Sequence, residues 1–366
     1  MKVKINQLIP GCILSEDIYK HTNAPIMKKK TVLTKGHINI LKIFVISYAV
    51  VESRLVDGRE YKPSEVIQEE NSIGENKTDF KSTFMERYLV AVQKYKKLFS
   101  SWQAGAKVDA FAIRKVFLPL YEISPTKDDL IELHHYCTKE DYLYYHSVAV
   151  SILSYNLGKR LNLSNGEVIQ LGLSALLSDC GMSKLPMSLL IKKDPLTIEE
   201  YEEVKKHPMF AYQMLKDIPG FSKAALLGVI QHHERNDASG YPLKLSQEKL
   251  HLFAKIISIC DIYHAMTSER YYRKKRSPFK VIESLKQEHF SKIDIIVLEN
   301  FILMILDLSI GKKVRLNNGE IGEIVFLDDN EPTRPIVKLT NNELLKLTSN
   351  RELYIEDMLL RDEVSN

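Results

Sequence analysis

Long stretches with helical apolar spacing run from about Phe84 to Leu308, and they constrain the fold more than any other feature of the sequence. Segments such as FMERYLVAVQKYKKLF, GEVIQLGLSALLSD and LFAKIISICDIYHAMT place apolar side chains three and four positions apart. Spacing of this kind lets each helix bury one face against its neighbours. We therefore expect a mainly α protein whose central domain, residues 84–308, is a helical bundle.

The two ends of the chain differ from this helical middle. Residues 1–58 contain short β-branched runs broken by glycine and proline, which indicate a small mixed or β-rich module. The polar segment 59–83 has no apolar period and is the predicted linker. Residues 309–366 alternate polar and apolar side chains around the turn sequence NNG, and they predict a C-terminal β-subdomain.

Composition limits the class of protein. The 51 basic residues nearly balance the 47 acidic ones, so the net charge of +4 gives no support for DNA binding. The apolar run ILKIFVISYAVV contains a lysine and is shorter than the roughly 18 residues of a membrane span. No secretion signal is recognisable, and we expect a cytoplasmic protein. The four cysteines form no C-x-x-C pair, which favours reduced thiols.

Six side chains of metal-binding types lie near the ends of helical segments. A single histidine in a helical protein is usually a satisfied core residue, so none of the six is informative alone. Together they would be costly to bury unless a cation compensated their desolvation, and this favours a metal site. The six are His146, Asp179, His207, His232, His233 and Asp261.

Five segments contain the six residues: HSVAV, SDCGM, HPMFAYQML, HHERNDASGYP and ICDIYHAMTSERYYRKK. Taken together, these segments resemble the HD-GYP branch of the HD-domain metal-dependent phosphohydrolases, whose members hydrolyse cyclic di-GMP. HSVAV resembles the first histidine motif of that family, SDCGM stands in the place of its His-Asp-x-Gly-Lys motif, and HPMFAYQML resembles its His-Pro helix. HHERNDASGYP keeps the Gly-Tyr-Pro triplet, and ICDIYHAMTSERYYRKK resembles the Asp helix with its Arg-x-Tyr-Arg tail. The resemblance implies a helical HD-domain bundle and one or two divalent metal ions, iron or manganese.

The resemblance also implies a role for each matching position. Asp179 would be the catalytic carboxylate that bridges two ions, with His146 and Asp261 completing the shell of the first. The second ion would be bound by Asp179 together with His207, His232 and His233. Contacts to the phosphates or other parts of cyclic di-GMP, or a related nucleotide, would come from Arg270, Arg273, Lys184, Tyr241 and Pro242.

Four positions depart from the family motif. Ser178 replaces the histidine that gives the family its name, and a hydroxyl is a poorer metal ligand than an imidazole. Met182 replaces a lysine, which Lys184 could substitute only with different geometry. His264 replaces the second aspartate of the Asp helix, and Ala238 replaces a glycine of the signature loop.

Three hypotheses for function remain open. The departures favour a degenerate phosphodiesterase centre with weak or no hydrolysis that still binds metal and nucleotide. Alternatively, His264, three residues after Asp261 on the same helix face, is an additional ligand in a remodelled and active first site. In the third hypothesis the protein is an interaction scaffold without ligand binding, and the Gly-Tyr-Pro loop contacts a signalling protein partner.

Overall fold

The computed structural model describes residues 1–19, 26–43, 46–56, 58–63, 84–270, 275–288, 291–306, 308–328 and 331–359. The chain forms two compact units, Met1–Val90 and Ala91–Asn366. Most of the predicted linker lies outside the described residues. The domain boundaries drawn from the sequence therefore stay predictions.

The first unit is a small mixed module, as the sequence indicates. Strand β1 (Lys2–Lys4) pairs antiparallel with β2 (Tyr48–Val50), with Val3 opposite Ala49. Helix α1 (Lys35–Ile43) lies between these two strands in sequence. Apolar side chains such as Leu14 and Leu33 form its core.

Helices dominate the second unit, and the predicted mainly α class is confirmed. Helix α2 (Phe84–Gln103) contains the boundary between the units. The helices that follow it are α3 (Ala110–Tyr121), α4 (Lys127–Glu132), α5 (Tyr142–Arg160), α6 (Asn165–Leu177), α7 (Met187–Leu190), α8 (Ile198–Val204), α9 (His207–Leu215), α10 (Lys223–Gln231), α11 (Leu252–Thr267), α12 (Pro278–Glu288) and α13 (Ile295–Ile305).

Helix α5 is the centre of the helical unit. Every side chain from Tyr145 to Ser154 is buried, so this helix is enclosed on all faces rather than amphipathic. It packs most extensively against α6 and α11. Close packing around α6 depends on Gly172, where a Cβ atom would lie only 2.4 Å from Tyr121 Oη. Helix α5 is therefore part of the hydrophobic core of the helical unit.

Side-chain caps determine where several helices begin. Ser164 and Glu167 form a capping box at the start of α6, and Thr197 and Glu200 form another at the start of α8. The hydroxyl of Ser222 accepts the backbone N–H of Ala225 at the start of α10. Each cap satisfies backbone N–H groups that have no partner within the helix, and so defines the helix boundary.

The C-terminal part of the second unit is the β-subdomain expected from the alternating sequence. It contains β3 (Lys313–Leu316), β4 (Ile321–Phe326), β5 (Ile336–Leu339), β6 (Leu344–Lys346) and β7 (Ile355–Met358). These strands form an antiparallel sheet in the order β6-β5-β4-β3-β7. The NNG turn joins β3 to β4, and Gly319 adopts a φ of 90° there.

A buried ion pair joins the β-subdomain to helix α12. The guanidinium of Arg334 pairs with Glu283 of α12, with 2.8 Å between Nη2 and Oε2 and 2.7 Å between Nε and Oε1. The same guanidinium donates to the backbone carbonyls of Leu347 and Leu353. Both charged side chains are almost fully buried. One arginine therefore organises the loop before β7 and connects it to the helices.

The sequence predicts neither a membrane-spanning helix nor a disulfide bond, and both features can be examined in the described part of the chain. No helix there combines the length and the apolar character that a membrane crossing requires. The four cysteines are all unbonded, and Cys12, Cys180 and Cys260 are buried. The reduced state of these thiols stays a prediction.

We expect Glu283→Gln to lower the free energy of unfolding of the helical unit by about 3 kcal/mol, because it leaves the Arg334 cation buried without its counter-charge. Denaturant unfolding followed by circular dichroism measures the change. Arg351→Gln is the matched control, since it breaks an exposed pair with Glu331 and should leave the unfolding free energy nearly unchanged. Equal losses in the two variants would contradict the role given to Arg334.

Candidate metal centre

The six metal-binding side chains identified in the sequence converge at one end of the bundle. Five helices contribute to this convergence, mostly through their first or last residues. His146 lies in the second turn of α5, Asp179 just after α6, His207 at the start of α9, His232 and His233 directly after α10, and Asp261 within α11.

A glycine allows Asp179 to approach His207. Residues Cys180–Lys184 form a 3-10 turn directly after Asp179. A Cβ atom on Gly181 would lie 2.1 Å from the carbonyl oxygen of His207, so only glycine lets this turn contact the start of α9. As a result, Asp179 Oδ1 lies 3.1 Å from His207 Nε2.

The donor atoms form two groups that share Asp179. In each group the candidate ligand atoms lie within 4.8 Å of one another. The four-residue group consists of Asp179, His207, His232 and His233, and the three-residue group consists of His146, Asp179 and Asp261. In the three-residue group, His146 Nε2 lies 2.8 Å from Asp261 Oδ1 and 3.6 Å from Asp179 Oδ2. The resemblance to HD-GYP proteins implies the same two sets of metal ligands.

Hydrogen bonds to the backbone orient two of the imidazoles. His207 Nδ1 lies 2.7 Å from the carbonyl oxygen of Val204, and His232 Nδ1 lies 2.6 Å from that of Val229. A carbonyl only accepts, so each Nδ1 carries a proton, and in the neutral form of each ring the lone pair is then on Nε2. The two Nε2 atoms are 3.3 Å apart and both face Asp179. Acceptors grouped in this way fit a divalent cation between them.

The charges of the site also suit a cation. Burial opposes the ionisation of Asp179 and Asp261, yet the neighbouring imidazoles hold the pKa of each carboxyl group below its usual value. Burial and the adjacent His232 lower the pKa of His233, which keeps this ring neutral. Within the described residues, the ion pairs of both aspartates are with histidine rings. Ionised carboxylates and neutral imidazoles are the forms that bind iron, manganese or zinc.

Two of the departures from the family motif lie beside the three-residue group without joining it. The hydroxyl of Ser178 donates to the carbonyl of Ala175 in its own helix, at 3.0 Å. His264 Nδ1 lies 3.1 Å from Nδ1 of His146, on the side of that ring opposite to its Nε2. The structure therefore places His264 behind His146 rather than among the donor atoms facing Asp179.

A cavity of about 510 Å³ opens onto both donor groups. This volume is in the range of small-molecule binding sites. Among the residues assigned to substrate contact, Arg270 and Tyr241 line the cavity, as does Met182, which replaces the family's lysine. Lys184 instead donates to the backbone carbonyl of Trp102 at 3.2 Å, so the structure does not bring it to the site. Arg273 lies outside the described residues.

The signature loop is built around a buried carboxylate. Glu234 accepts the backbone N–H groups of Leu243, Lys244 and Leu245 at 2.6 to 3.0 Å, and this fixes the loop around Pro242. A Cβ atom on Gly240 would lie 2.4 Å from Cα of Glu234, so the triplet needs its glycine for close approach. The loop places the Tyr241 ring against His233, with 4.8 Å between ring centroids.

Sequence reasoning missed two residues of the site. Tyr142 lines the cavity one turn before His146, a spacing that places both side chains on the same face of α5. Glu234 follows His233 directly and anchors the loop. The helical spacing between Tyr142 and His146 could have identified Tyr142 from the sequence. The contacts of Glu234 depend on the conformation of the signature loop, which the sequence pattern does not predict.

Comparison with known proteins agrees with this geometry. A family model described as HD domain matches residues 128–297, a range that contains all six donor residues. The chain is 34% identical over 212 residues to a cyclic di-GMP phosphodiesterase of Pseudomonas aeruginosa, covering 57% of this chain and 50% of that protein. It is 32% identical over 193 residues to the cyclic di-GMP phosphodiesterase PdeB of Borreliella burgdorferi, covering 52% and 50%.

A solved structure of an HDG"Y"P protein from Bdellovibrio bacteriovorus shares 15% identity with a TM-score of 0.46, over 82% of this chain and 97% of that one. The chain spans about half the length of the curated relatives it matches. The matched residues lie in the helical unit, and the HD domain family is metal-dependent. The match over residues 128–297 and the two phosphodiesterase relatives support the resemblance to HD-GYP proteins seen in the sequence.

Ala238 occupies a backbone conformation that favours glycine, with a φ of 60°. We expect Ala238→Gly to raise the free energy of unfolding by about 0.5 to 1 kcal/mol, because relief of left-handed strain exceeds the added entropy of the unfolded chain. Thermal or denaturant unfolding measures the change. Ala112→Gly, in the first turn of α3, is the control and should have the opposite sign, since glycine weakens a helix. Destabilisation by both would show that the loop accepts alanine without strain.

Proposed function

We propose that the protein is a metal-dependent phosphodiesterase of cyclic dinucleotides, with cyclic di-GMP as the first candidate substrate, and that it hydrolyses them slowly. The observation that carries the proposal is the pair of donor groups sharing Asp179 at the base of a 510 Å³ cavity. Two curated relatives are cyclic di-GMP phosphodiesterases, which supports this substrate class.

Different residues of the site would bind the metal ions and the nucleotide. His207, His232 and His233 would hold one ion with Asp179, and His146 and Asp261 would hold the other. Divalent ions bound there supply Lewis-acid activation of water and neutralise charge on the phosphodiester. The ring of Tyr241 and the guanidinium of Arg270 face the same cavity and can orient the nucleotide and its phosphates.

Two contacts support slow rather than fast hydrolysis. The hydroxyl of Ser178 is engaged with Ala175, so the three-residue group gains no donor from the position of the family's histidine. Met182 lines the cavity where a lysine cation would face the substrate phosphate. Fewer groups therefore stabilise the charge that develops on the phosphodiester, and this raises the activation free energy of hydrolysis.

A receptor that binds the nucleotide without turnover is the second candidate, and Met182 is the observation that favours it. The scaffold hypothesis has less support, because Tyr241 packs against His233 beside the cavity, where a nucleotide would contact it. These candidates differ in what happens to bound nucleotide, which makes them separable by experiment.

The proposal predicts two ions per chain and measurable hydrolysis in the same sample. Protein loaded with Mn²⁺, or with Fe²⁺ without oxygen, is assayed for metal content, binding and product formation with cyclic di-GMP and cyclic GMP-AMP. Asp179→Asn should reduce metal content and abolish hydrolysis, because it removes the shared carboxylate. Binding of intact nucleotide without product would support the receptor, and absence of binding would support the scaffold.

Restoring the family's side chains should accelerate the reaction. We expect Ser178→His combined with Met182→Lys to raise the hydrolysis rate at least about tenfold, because a preorganised cation at developing charge contributes on this scale or more. Steady-state turnover under saturating metal is the measurement. Met187→Lys adds a cation elsewhere on the cavity wall and should give no comparable gain. An unchanged rate in the double variant would contradict the explanation of slow hydrolysis.

A further inference from the structure

Tyr142 touches the outer nitrogen of a candidate metal ligand. It is the first residue of α5, and its ring stacks on the imidazole of His146 with 5.1 Å between centroids and 25° between planes. Its hydroxyl lies 3.0 Å from His146 Nδ1. The opposite nitrogen of the same ring, Nε2, faces Asp261 and Asp179. Tyr142 thus contacts His146 on the side away from the donor group.

Tyr142 also contacts Arg270, at the end of the segment that follows α11. The guanidinium of Arg270 lies over the tyrosine ring, with 4.0 Å between Cζ and the ring centroid. Arg270 Nη2 donates a hydrogen bond to the tyrosine hydroxyl. A continuous chain of contacts therefore runs from Arg270 through Tyr142 to His146 and then to the two aspartates.

The protonation pattern of His146 decides what this chain does. To bind an ion, Nε2 must carry a lone pair, so the proton must be on Nδ1 and needs an acceptor. Two groups face Nδ1, the hydroxyl of Tyr142 at 3.0 Å and Nδ1 of His264 at 3.1 Å. The choice of acceptor therefore lies between a phenol and a second imidazole.

His264 is the poorer acceptor. If its Nδ1 accepts from His146, its own proton must be on Nε2, and that nitrogen is buried without a hydrogen-bond partner among the described residues. A buried N–H group without a partner is costly and rare. The oxygen of Tyr142 has two lone pairs, which can accept from Arg270 and from His146 together. Tyr142 is thus the better acceptor for the proton of His146.

We propose that Tyr142 is a positioning residue that holds His146 in its metal-binding tautomer and couples it to Arg270. Ion occupancy of the three-residue group then depends on an arginine that is not itself a ligand. This inference rests on the proposed function in one respect, that the group binds a divalent ion. It requires neither a particular nucleotide nor hydrolysis.

The first test removes only the hydroxyl. Tyr142→Phe keeps the ring stacked between His146 and Arg270, and metal-free protein is titrated with Mn²⁺ without nucleotide, by calorimetry or electron paramagnetic resonance. We expect one of two ions to bind about 10- to 100-fold more weakly, the usual effect of removing an outer partner of a ligand. Tyr155→Phe, the same change further along α5 where the ring stacks on Tyr121, should bind both ions normally.

The second test measures coupling. Arg270→Gln should weaken the same ion, and in the Tyr142→Phe background it should cause little further loss, because the hydroxyl that transmits its effect is gone. Normal Mn²⁺ affinity in Tyr142→Phe, or losses that add fully in the double variant, would overturn the proposal. Thermal unfolding of the metal-free variants measures whether each is folded. If the tyrosine variant is not, Arg270→Gln alone still tests whether the arginine affects the affinity for the ion, and an unchanged affinity overturns the proposal.

The outcomes separate this inference from the proposed function. Wild-type protein that binds two ions and responds to Tyr142→Phe, yet leaves cyclic dinucleotides intact, supports the positioning role and contradicts hydrolysis. Wild-type protein that hydrolyses the nucleotide, with Mn²⁺ affinities unchanged by Tyr142→Phe, supports hydrolysis and contradicts the positioning role. Failure of the wild-type protein to bind a second ion contradicts both.

Discussion

The carboxylate of Asp179 is the constraint on which the arrangement of the helical unit depends. It is largely buried, and it faces Nε2 of His207 and of His232, whose Nδ1 atoms donate to backbone carbonyls and whose neutral rings would place a lone pair towards it. A set of acceptors that face one another is unfavourable unless a cation lies among them. The positions of helix ends, the glycine at 181 and the enclosed helix α5 all serve to hold this set together.

The two donor groups have been altered to different degrees. The four-residue group has every side chain that the resemblance implies, and the outer nitrogens of His207 and His232 contact the backbone. The three-residue group also has its implied donors, but beside them Ser178 and His264 stand where the resemblance implies a histidine and an aspartate. An aspartate at position 264 would have offered a charged acceptor to the outer nitrogen of His146, whereas an imidazole offers a neutral and less suitable one.

Much of this could be predicted from the sequence, for identifiable reasons. Helical spacing gave the mainly α class, and the alternating C-terminal sequence gave the sheet that Arg334 connects to α12. The six donor residues were found because each belongs to a local motif. Spacing could not predict the role of His264. A residue three positions after Asp261 can be a second metal ligand or only a neighbour of one, and the two cases have the same spacing. Lys184 was placed by sequence distance alone, and the 3-10 turn directs it towards Trp102 instead.

The convergence of five helices on one carboxylate has a consequence for folding. His146 and Asp261 are 115 residues apart in the chain, so an ion held between them would act as a cross-link that closes a long loop. Cross-links over long loops remove much of the conformational freedom of the unfolded chain, and any ligand specific to the native state shifts the folding equilibrium towards it. The supply of the ion would therefore control how long the helical unit survives proteolysis, in addition to its chemistry.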